Sequence, residues 1–535
     1  MDPASLAVPA RPPEETPSAL APLRVPVFRM LWLTWLAANT CMWMNDVAAA
    51  WLMTSIAPSP LWVALVQSAS TLPVFLLGLP SGALADILDR KRYFMVTQFW
   101  VAVIALVLCT IVALGWMTAP LLLALTFANG IGLAMRWPVF AAIVPELVSR
   151  PLLPAALALN GVAMNSSRII GPLVAGALIA SAGSPWVFVL NAVLSLVAGF
   201  TIMRWRRVHK ESPLGRERLA SAMRVGVQYV WQSARFRAIL LRIALFFLHS
   251  TALLALLPLI ARAQPGGAAG TFTVLLASMG AGAIFAALQM QRVRRFVQPK
   301  TLILAGTVLQ AASSVVVAFA PNIYVAVPAM FLAGSAWITV ANSLTVSAQM
   351  ALPDWVRARG MSIYQMALMG SSAAGAAWWG QVATWTNIHD ALLMAAVSST
   401  ALMAMAHFFV VERGIEEDLT PSSAFKAPHA EAPPREGRIL VSIEYSIDPA
   451  RTDEFMQLMQ ESRRSRISQG AREWQVVRDL YEPGRIIEQI TDESWTEHLR
   501  RFDRVTAADV QLRDRKLAFH IGDAPPQVTR YLIDR

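Results

Sequence analysis

The chain has 535 residues, of which 56% are hydrophobic and 15% charged, with 18 Trp and a formal net charge of +11; its mean hydropathy is +0.49. This composition is too apolar for a single water-soluble core and indicates a polytopic membrane protein. The positive charge does not indicate nucleic-acid binding, because the cations concentrate in short loops between apolar runs. Cys41 and Cys109 both lie inside apolar runs, so neither a disulfide framework nor a metal site is predicted.

Residues 1–24 are rich in Pro, Ala and Glu and lack a cleavable-signal pattern, so they are predicted to be a disordered cytoplasmic tail. Twelve apolar segments follow, and each is long enough to cross a bilayer at roughly 20 residues. They cover 27–53, 61–84, 93–116, 119–143, 154–181, 185–204, 238–261, 271–291, 301–320, 322–348, 359–384 and 389–411.

The loop charges agree with twelve spans. Loops after even-numbered spans are rich in Arg and Lys, whereas the opposite loops are nearly uncharged, with Arg262 as the main exception. Because cations accumulate on the cytoplasmic side, both chain ends are predicted to be cytoplasmic. The long basic loop at 206–237 divides the spans into two sets of six, at 25–205 and 238–411.

A short motif separates the second and third spans. Gly82, Asp86, Arg90, Lys91 and Arg92 combine a small residue for close helix approach, an acid and a basic cluster. The pattern resembles the cytoplasmic gating motif of major facilitator superfamily transporters, except that Asp89 stands where that motif commonly has Gly. The resemblance implies two six-helix bundles around a central cavity with alternating access. An ordinary positive-inside loop is the alternative.

Few ionisable residues lie inside the spans. Placing one at the centre of a membrane-spanning helix costs about 2.5–3.5 kcal/mol of insertion free energy, so such a residue is expected to have an interaction partner or a function. Asp46 is the only acid well inside the membrane, and we predict that it couples transport to reversible protonation. A structural ion pair with Arg136 or Arg168 is the alternative for Asp46. The substrate cavity is predicted to contain Arg136, Arg168, Asn165 and His249. The two arginines would favour an anionic or hydrogen-bond-acceptor-rich substrate. The alternative for both, and more so for Arg168, is to brace helices by bonding backbone carbonyls. His249 would relay protons or, more commonly for such a residue, be a buried hydrogen-bonded histidine.

The fifth span contains Gly171, Pro172 and Gly176, which would kink the helix and allow close packing. This resembles the motif of exporting antiporters of the superfamily; a plain kinked span is the alternative. The wider pattern, including 48–54, 144–150 and 165–172, resembles the subgroup of bacterial exporters that contains the enterobactin exporter and macrolide efflux proteins.

The composition changes after Val411. Residues 412–437 read as a proline-rich linker, and 438–535 follow the order β-α-β-β-α-β of a ferredoxin-like α+β domain. This domain resembles the dimeric α/β-barrel proteins related to antibiotic-biosynthesis monooxygenases. Four side chains would line a pocket there or pack its core: Trp474, Trp495, His498 and His520. We expect a dimerising or partner-binding role more than catalysis.

The predicted fold is therefore an all-α polytopic membrane protein of the major facilitator type with a small C-terminal α+β domain. No G-x-x-x-x-G-K-(S/T) sequence occurs, so an ion gradient is the expected energy source. The resemblance implies a proton-coupled exporter of a siderophore, antibiotic or similar small molecule in a bacterial plasma membrane, in contact with lipid, with no cofactor and no catalytic residue. A membrane-tethered enzyme or sensor, or an importer, is the alternative.

Overall fold

The computed structural model describes residues 18, 20–57, 59–149, 152–205, 219–409, 418–422, 424–425, 428 and 437–533. Twelve helices of 20 residues or more, and one of 14 residues, run through the membrane part of these described residues. They are α1 (Pro26–Ile56), α2 (Pro60–Ile87), α3 (Arg90–Ala113), α4 (Ala119–Leu147), α5 (Leu153–Ala182), α6 (Ser184–Arg204), α7 (Leu219–Gln232), α8 (Ala234–Ala263), α9 (Ala269–Val293), α10 (Pro299–Ala318), α11 (Ile323–Met350), α12 (Asp354–Trp385) and α13 (Ile388–Phe409).

Ten of these helices are long and apolar enough to cross a membrane by length and composition alone. The two other long helices, α1 and α12, have 31 and 32 residues but carry more polar side chains. In α1 several of them, including Asn39, Asn45 and Thr54, are buried against neighbouring helices. These buried polar residues of α1 therefore face protein, as is usual for polar side chains within a membrane.

Local sequence explains where several helices begin. Pro26, Pro60 and Pro299 each stand in the first turn of a helix, where the missing backbone N–H costs nothing. Asp89 caps α3, because its carboxylate accepts a hydrogen bond of 2.9 Å from the backbone N–H of Arg92. The departure from the gating motif at Asp89 therefore supplies a helix cap.

Helices α1–α6 form one bundle and α8–α13 form a second, with α2 packed along α12 and α5 along α9 between them. The helices alternate in direction, so their loops lie at two ends. We call the end that carries Leu88, Asp89 and Pro353 the basic end, and the end that carries Gly115 and Gly183 the neutral end.

The two bundles share one apolar core at the neutral end. This largest cluster joins Met53 and Val63 of the first bundle to Leu256 and Val382 of the second. At the basic end, the cores are separate: one contains Phe28 and other first-bundle residues, and the other contains second-bundle residues only, together with residues of α7. In this conformation, apolar packing between the bundles therefore seals the neutral end.

Helix α7 lies within the segment that the sequence predicts to be a basic loop. Val225, Gly226, Tyr229 and Val230 are buried, whereas Trp231 is 70% exposed. The buried residues at i, i+4 and i+5 form the apolar face of this helix. The segment predicted as a basic central loop therefore contains a helix at Leu219–Gln232, and residues 206–218 lie outside the described residues.

The predicted tail and linker fall mostly outside the described residues, but two short pieces are described and are ordered. Ala21–Arg24 form a 3-10 turn with Pro22 buried. In the linker, Pro421 makes a β-bridge with Thr506, and the backbone N–H of Ser422 donates to the carbonyl of Val505 at 3.0 Å. This part of the linker runs along the C-terminal domain.

The C-terminal domain is a four-stranded antiparallel sheet with helices. Its elements are β1 (Arg438–Ser446), α14 (Thr452–Ser468), β2 (Glu473–Arg478), β3 (Arg485–Asp492), α15 (Trp495–Phe502), α16 (Ala507–Leu517) and β4 (Gln527–Ile533). The strand order β2-β3-β1-β4 is that of the ferredoxin-like fold, with an additional helix before the last strand. The predicted fold class, helical bundles with a small α+β domain, is confirmed.

Candidate translocation site

Asp46 lines a small cavity between the two bundles. The cavity walls come from α1, α2 and α8, and its polar lining residues besides Asp46 are Gln67 and Ser70. Among the residues that the structure describes, no ion pair includes Asp46. The alternative ion pair of Asp46 with Arg136 or Arg168 is therefore not formed in this conformation. An acid without a counter-ion at a bundle interface is suited to taking up and releasing a proton.

Arg136 lies in the wall of the first bundle. Its guanidinium donates a hydrogen bond of 3.2 Å to the carbonyl of Ala38 and stands 5.5 Å from the centre of the Trp35 ring. The Trp35 ring stacks in turn on Phe140 at 4.0 Å. With only 2% of its surface exposed, Arg136 braces α4 against α1. This arrangement fits a structural role better than direct contact with a substrate in the central cavity.

Arg168 connects the two bundles through aromatic rings. Its guanidinium carbon lies 5.2 Å from the centre of the Trp43 ring and 4.3 Å from that of Trp337. Trp43 belongs to α1 of the first bundle and Trp337 to α11 of the second. The Nε atom of Arg168 is buried without a hydrogen-bond partner. In the described part of the chain, Arg168 therefore braces helices through two indole rings, and its Nε remains as a donor for a ligand.

His249 lies on α8 in the second bundle and is 6% exposed. Its Nδ1 is 2.7 Å from the carbonyl of Leu245, one turn earlier, so Nδ1–H donates to that oxygen. The Trp379 ring lies 5.7 Å away. His249 is thus held by its own helix, about one and a half turns from the Asp46 cavity. The backbone of Asn165 is part of α5, and its side chain lies outside the described residues.

The gating motif lies at the basic end. Arg90 forms an ion pair of 2.6 Å with Glu146 and so joins the start of α3 to the end of α4. Among the residues that the structure describes, no atom lies within 4 Å of a Cβ built on Gly82, so the expected close approach is not found there. The close contact of α2 occurs one turn earlier, where a Cβ on Gly78 would lie 2.8 Å from Met366 of α12. The side chain of Asp86 lies outside the described residues.

The glycines of the fifth span pack against two different helices. A Cβ on Gly171 would lie 2.5 Å from the Cβ of Trp43 in α1. Gly176 faces Thr273 of α9, in the other bundle. Helix α5 continues past Pro172 without interruption. The motif therefore places α5 in close contact with α1 at one residue and with the second bundle at another.

Sequence reasoning missed a hydrogen-bonded contact between the bundles at the neutral end. Arg262, in the last turn of α8, donates to the carbonyl of Thr54, in the last turn of α1. Nearby, the backbone N–H of Leu61 donates to Oγ1 of Thr384 at 3.3 Å. The sequence does contain a signal for this contact, because Arg262 is the main cation in the otherwise nearly uncharged loops of the neutral end. A cation beside the last carbonyls of a helix is also favoured by the helix dipole.

In the C-terminal domain, His498 is held on both ring nitrogens. Nδ1 is 2.7 Å from Asp492 Oδ2, and Nε2 accepts a hydrogen bond of 3.1 Å from Arg530. Burial lowers the pKa of His498, so the ring is neutral at pH 7 and Nδ1–H donates to Asp492. His498 is 1% exposed, and Trp495 packs beside it at 5.5 Å. His498 therefore joins α15 to β3 and β4 as a structural residue.

Trp474 and His520, the other two pocket candidates in this domain, also form hydrogen bonds within the domain. Nε1 of Trp474 donates to Glu488 at 3.0 Å, and Nδ1 of His520 accepts from the backbone N–H of Ser446 at 3.1 Å. Glu488 is completely buried and also accepts hydrogen bonds from Lys516 and Ser462, a cluster that the sequence analysis did not predict. No group of three or more His, Cys, Asp or Glu among the described residues is arranged to hold a metal ion.

Two helical bundles with an acid in a cavity at their interface define a secondary-transporter type of architecture. The family model described as transmembrane secretion effector matches residues 17–535, and the chain belongs to this family of major facilitator superfamily transporters. It is a multi-pass membrane transporter. The chain is 22% identical over 257 residues to the staphyloferrin A transporter of Staphylococcus aureus (strain NCTC 8325 / PS 47), covering 48% of this chain and 64% of that protein.

The chain is also 26% identical over 347 residues to YfiS, an uncharacterized MFS-type transporter of Bacillus subtilis (strain 168), covering 63% of this chain and 81% of that one. Among solved structures, the chain superposes on a bacterial homologue of the human lysosomal transporter Spinster with a TM-score of 0.57 at 14% identity, covering 73% of this chain and 96% of that one. A POT family transporter gives a TM-score of 0.60 at 10% identity, covering 71% and 95%. These structures share the fold.

Proposed function

We propose that this transporter exports a small molecule in exchange for protons by alternating access, with Asp46 as the coupling acid. The observation that carries the proposal is the position of Asp46 in a cavity between α1, α2 and α8, with no ion pair among the described residues. A carboxyl group at the bundle interface meets different surroundings when the bundles move, so its proton affinity changes with the conformation. That change is what couples a proton to transport.

The proposed cargo is a siderophore, an antibiotic or another lipophilic or anionic compound. Arg168, with an unpaired buried Nε and two indole rings around it, offers a cation and aromatic surface to such a molecule. One relative is named as a transporter of staphyloferrin A, and it is matched over 64% of its length. We place the protein in a bacterial plasma membrane, with both termini and the basic end in the cytoplasm.

The test uses everted membrane vesicles with an acidified interior. A panel of siderophores, macrolides and lipophilic anions is added, and proton release is followed with a pH-sensitive dye for the wild type and for Asp46→Asn. The matched control is Asp390→Asn, since Asp390 lies at the exposed start of α13 and bonds Asn387. Release evoked by a compound in the wild type and in Asp390→Asn, but not in Asp46→Asn, supports the proposal. Equal release in Asp46→Asn overturns the role of Asp46, and uptake with the opposite proton movement would identify an importer.

The second candidate, a membrane-tethered enzyme or sensor, would act through the C-terminal domain. The engagement of both His498 ring nitrogens argues against catalysis at that residue. We propose instead that this domain has no catalytic role and serves self-association or partner binding. Removing the chain after Val411 separates the two candidates, because export that survives the truncation is incompatible with an enzyme whose spans transport nothing.

A further inference from the structure

The C-terminal domain is bound to α7 by polar contacts. Arg224 of α7 forms an ion pair of 2.7 Å with Glu493, and the same guanidinium reaches the carbonyl of Gly470 at 3.5 Å. One turn further along α7, the amide of Gln228 donates to the carbonyl of Ala471 at 3.4 Å. A Cβ built on Gly470 would lie 2.9 Å from the side chain of Val225, so the loop after α14 lies directly against α7.

On its other side, α7 packs on the beginning of α12. The hydroxyl of Tyr229 donates to the carbonyl of Ala351 at 3.1 Å, and the Tyr229 ring meets the Trp355 ring edge to face at 5.8 Å. A Cβ on Gly226 would lie 3.0 Å from the Cβ of Arg359. Arg504 of the C-terminal domain also stands 5.3 Å from the centre of the Trp355 ring. The first two turns of α12 are thus held by α7 and the C-terminal domain together.

The same helix carries the contact with the first bundle. Further along α12, Met366 fills the space beside Gly78 of α2, and Gly370 accommodates the ring of Phe75. At a rise of about 1.5 Å per residue, Met366 is roughly 16 Å from Trp355 along one continuous helix. A rigid helix that is held at its start and packs on the other bundle further along transmits a change from one contact to the other.

We propose that the C-terminal domain, docked through α7, regulates how tightly α12 packs against α2. Docking fixes the start of α12 and thereby favours the closed contact between Met366 and Gly78. A ligand or partner that moved the C-terminal domain away from α7 would loosen this contact. The C-terminal domain then regulates the membrane part of the protein by acting on the second bundle. The proposal rests on the exporter function only because the contact between α2 and α12 must change during alternating access.

The test measures the contact directly and needs no substrate. Met366→Cys is introduced into full-length protein in which Cys41 and Cys109 are replaced by Ala, and its reaction with a membrane-permeant maleimide is timed. Glu493→Arg and Arg224→Glu each break the ion pair, and the double variant restores it with the charges exchanged. Glu454→Arg is the matched control, because Glu454 pairs with Arg451 at the opposite end of α14 from Gly470. Hydrogen exchange of α7 reports docking independently.

We expect each single variant to raise hydrogen exchange in α7 and to speed labelling about threefold, the effect of losing a partly exposed ion pair. The double variant and Glu454→Arg should label like the parent protein. Faster exchange in α7 with unchanged labelling overturns the proposal, as does unchanged exchange in both single variants. Since neither readout involves transport, a failed exporter hypothesis in the vesicle assay leaves this result interpretable.

Discussion

Gly176 of α5 faces Thr273 of α9 so closely that a Cβ built on Gly176 would overlap Oγ1 of Thr273. The two residues belong to different bundles and lie toward the neutral end, where the bundles share their apolar core. No side chain larger than hydrogen fits at position 176 in this conformation. The glycine of the exporter-like motif is therefore a requirement for closing the neutral end.

The first prediction is that Gly176→Ala opens the neutral end. Its methyl group would force α5 and α9 apart, so a cysteine at Ala64, which is buried beside Gly380, should react faster with a membrane-impermeant maleimide. Gly176→Ala with Thr273→Gly should return labelling to the parent rate. Gly161→Ala on the same helix is the control, because a Cβ there meets nothing within 4 Å. If Gly176→Ala is labelled as slowly as the parent protein, the contact between α5 and α9 tolerates a methyl group.

The second prediction concerns the cation between two indoles. Arg168→Lys keeps the charge but loses the planar group that stacks on Trp43 and Trp337, and we expect a loss of about 1–2 kcal/mol in stability against denaturant in mixed micelles. Trp337→Phe keeps an aromatic face and should lose less than Trp337→Leu. Arg292→Lys, an exposed site bonded to Gln289, is the control. Equal stability of Arg168→Lys and the parent protein would contradict a stacking role.

Much of the helical fold follows from the sequence alone, because the length of an apolar run fixes a span and loop cations fix its direction. The ferredoxin-like order of the C-terminal domain was also predictable from alternating strands. Helix α7 was not predicted, since cations before and after it make the whole segment read as a basic loop, although the helix itself contains only Arg224 as a cation. Its helix is stabilised by packing on α12 and the C-terminal domain, which no local pattern reveals.

The sequence predicts which residues are candidates for the site, but it does not predict their contacts. Asp46 is a candidate because an acid within a span is rare, but whether it pairs with an arginine depends on helix rotation. Arg168 was found for the same reason, whereas its partner Trp337 lies on another bundle far along the chain. Glu488 was missed because a lone glutamate in a strand gives no sign that a lysine from a later helix will meet it in the core.

The third prediction is that Arg262 holds the neutral end closed. Its hydrogen bond to the carbonyl of Thr54 crosses from α8 to α1, so it exists only while the two bundles meet there. A hydrogen bond from a charged donor is worth about 1.5–3 kcal/mol, which is roughly tenfold or more in the population of the closed state. Arg262→Gln should therefore speed labelling of the cysteine at position 64, and Arg292→Gln at the basic end should not. An unchanged labelling rate in Arg262→Gln would show that apolar packing alone closes the neutral end.

The fourth prediction concerns the pH dependence of the C-terminal domain. Burial alone would raise the pKa of Glu488, but Lys516 and Arg466, together with hydrogen bonds from Ser462 and Trp474, hold the pKa of this carboxyl well below its usual range. The unfolded chain therefore binds a proton on Glu488 at a higher pH than the folded domain does. The resulting stabilisation is complete above the ordinary glutamate pKa of 4.5 and is lost as the pH falls below it.

Glu488→Gln should cost about 3–5 kcal/mol at pH 7, because it leaves the buried cations Lys516 and Arg466 without their carboxylate. It should also flatten the decline in stability below pH 4.5 that the parent protein shows. Pulse proteolysis of the full-length protein in urea, with a C-terminal tag to follow the domain, measures both effects. Glu454→Gln removes an exposed charge from the same domain and should change neither. A parent-like acid response in Glu488→Gln would mean that another carboxylate, such as Asp492 beside Arg501, governs acid unfolding.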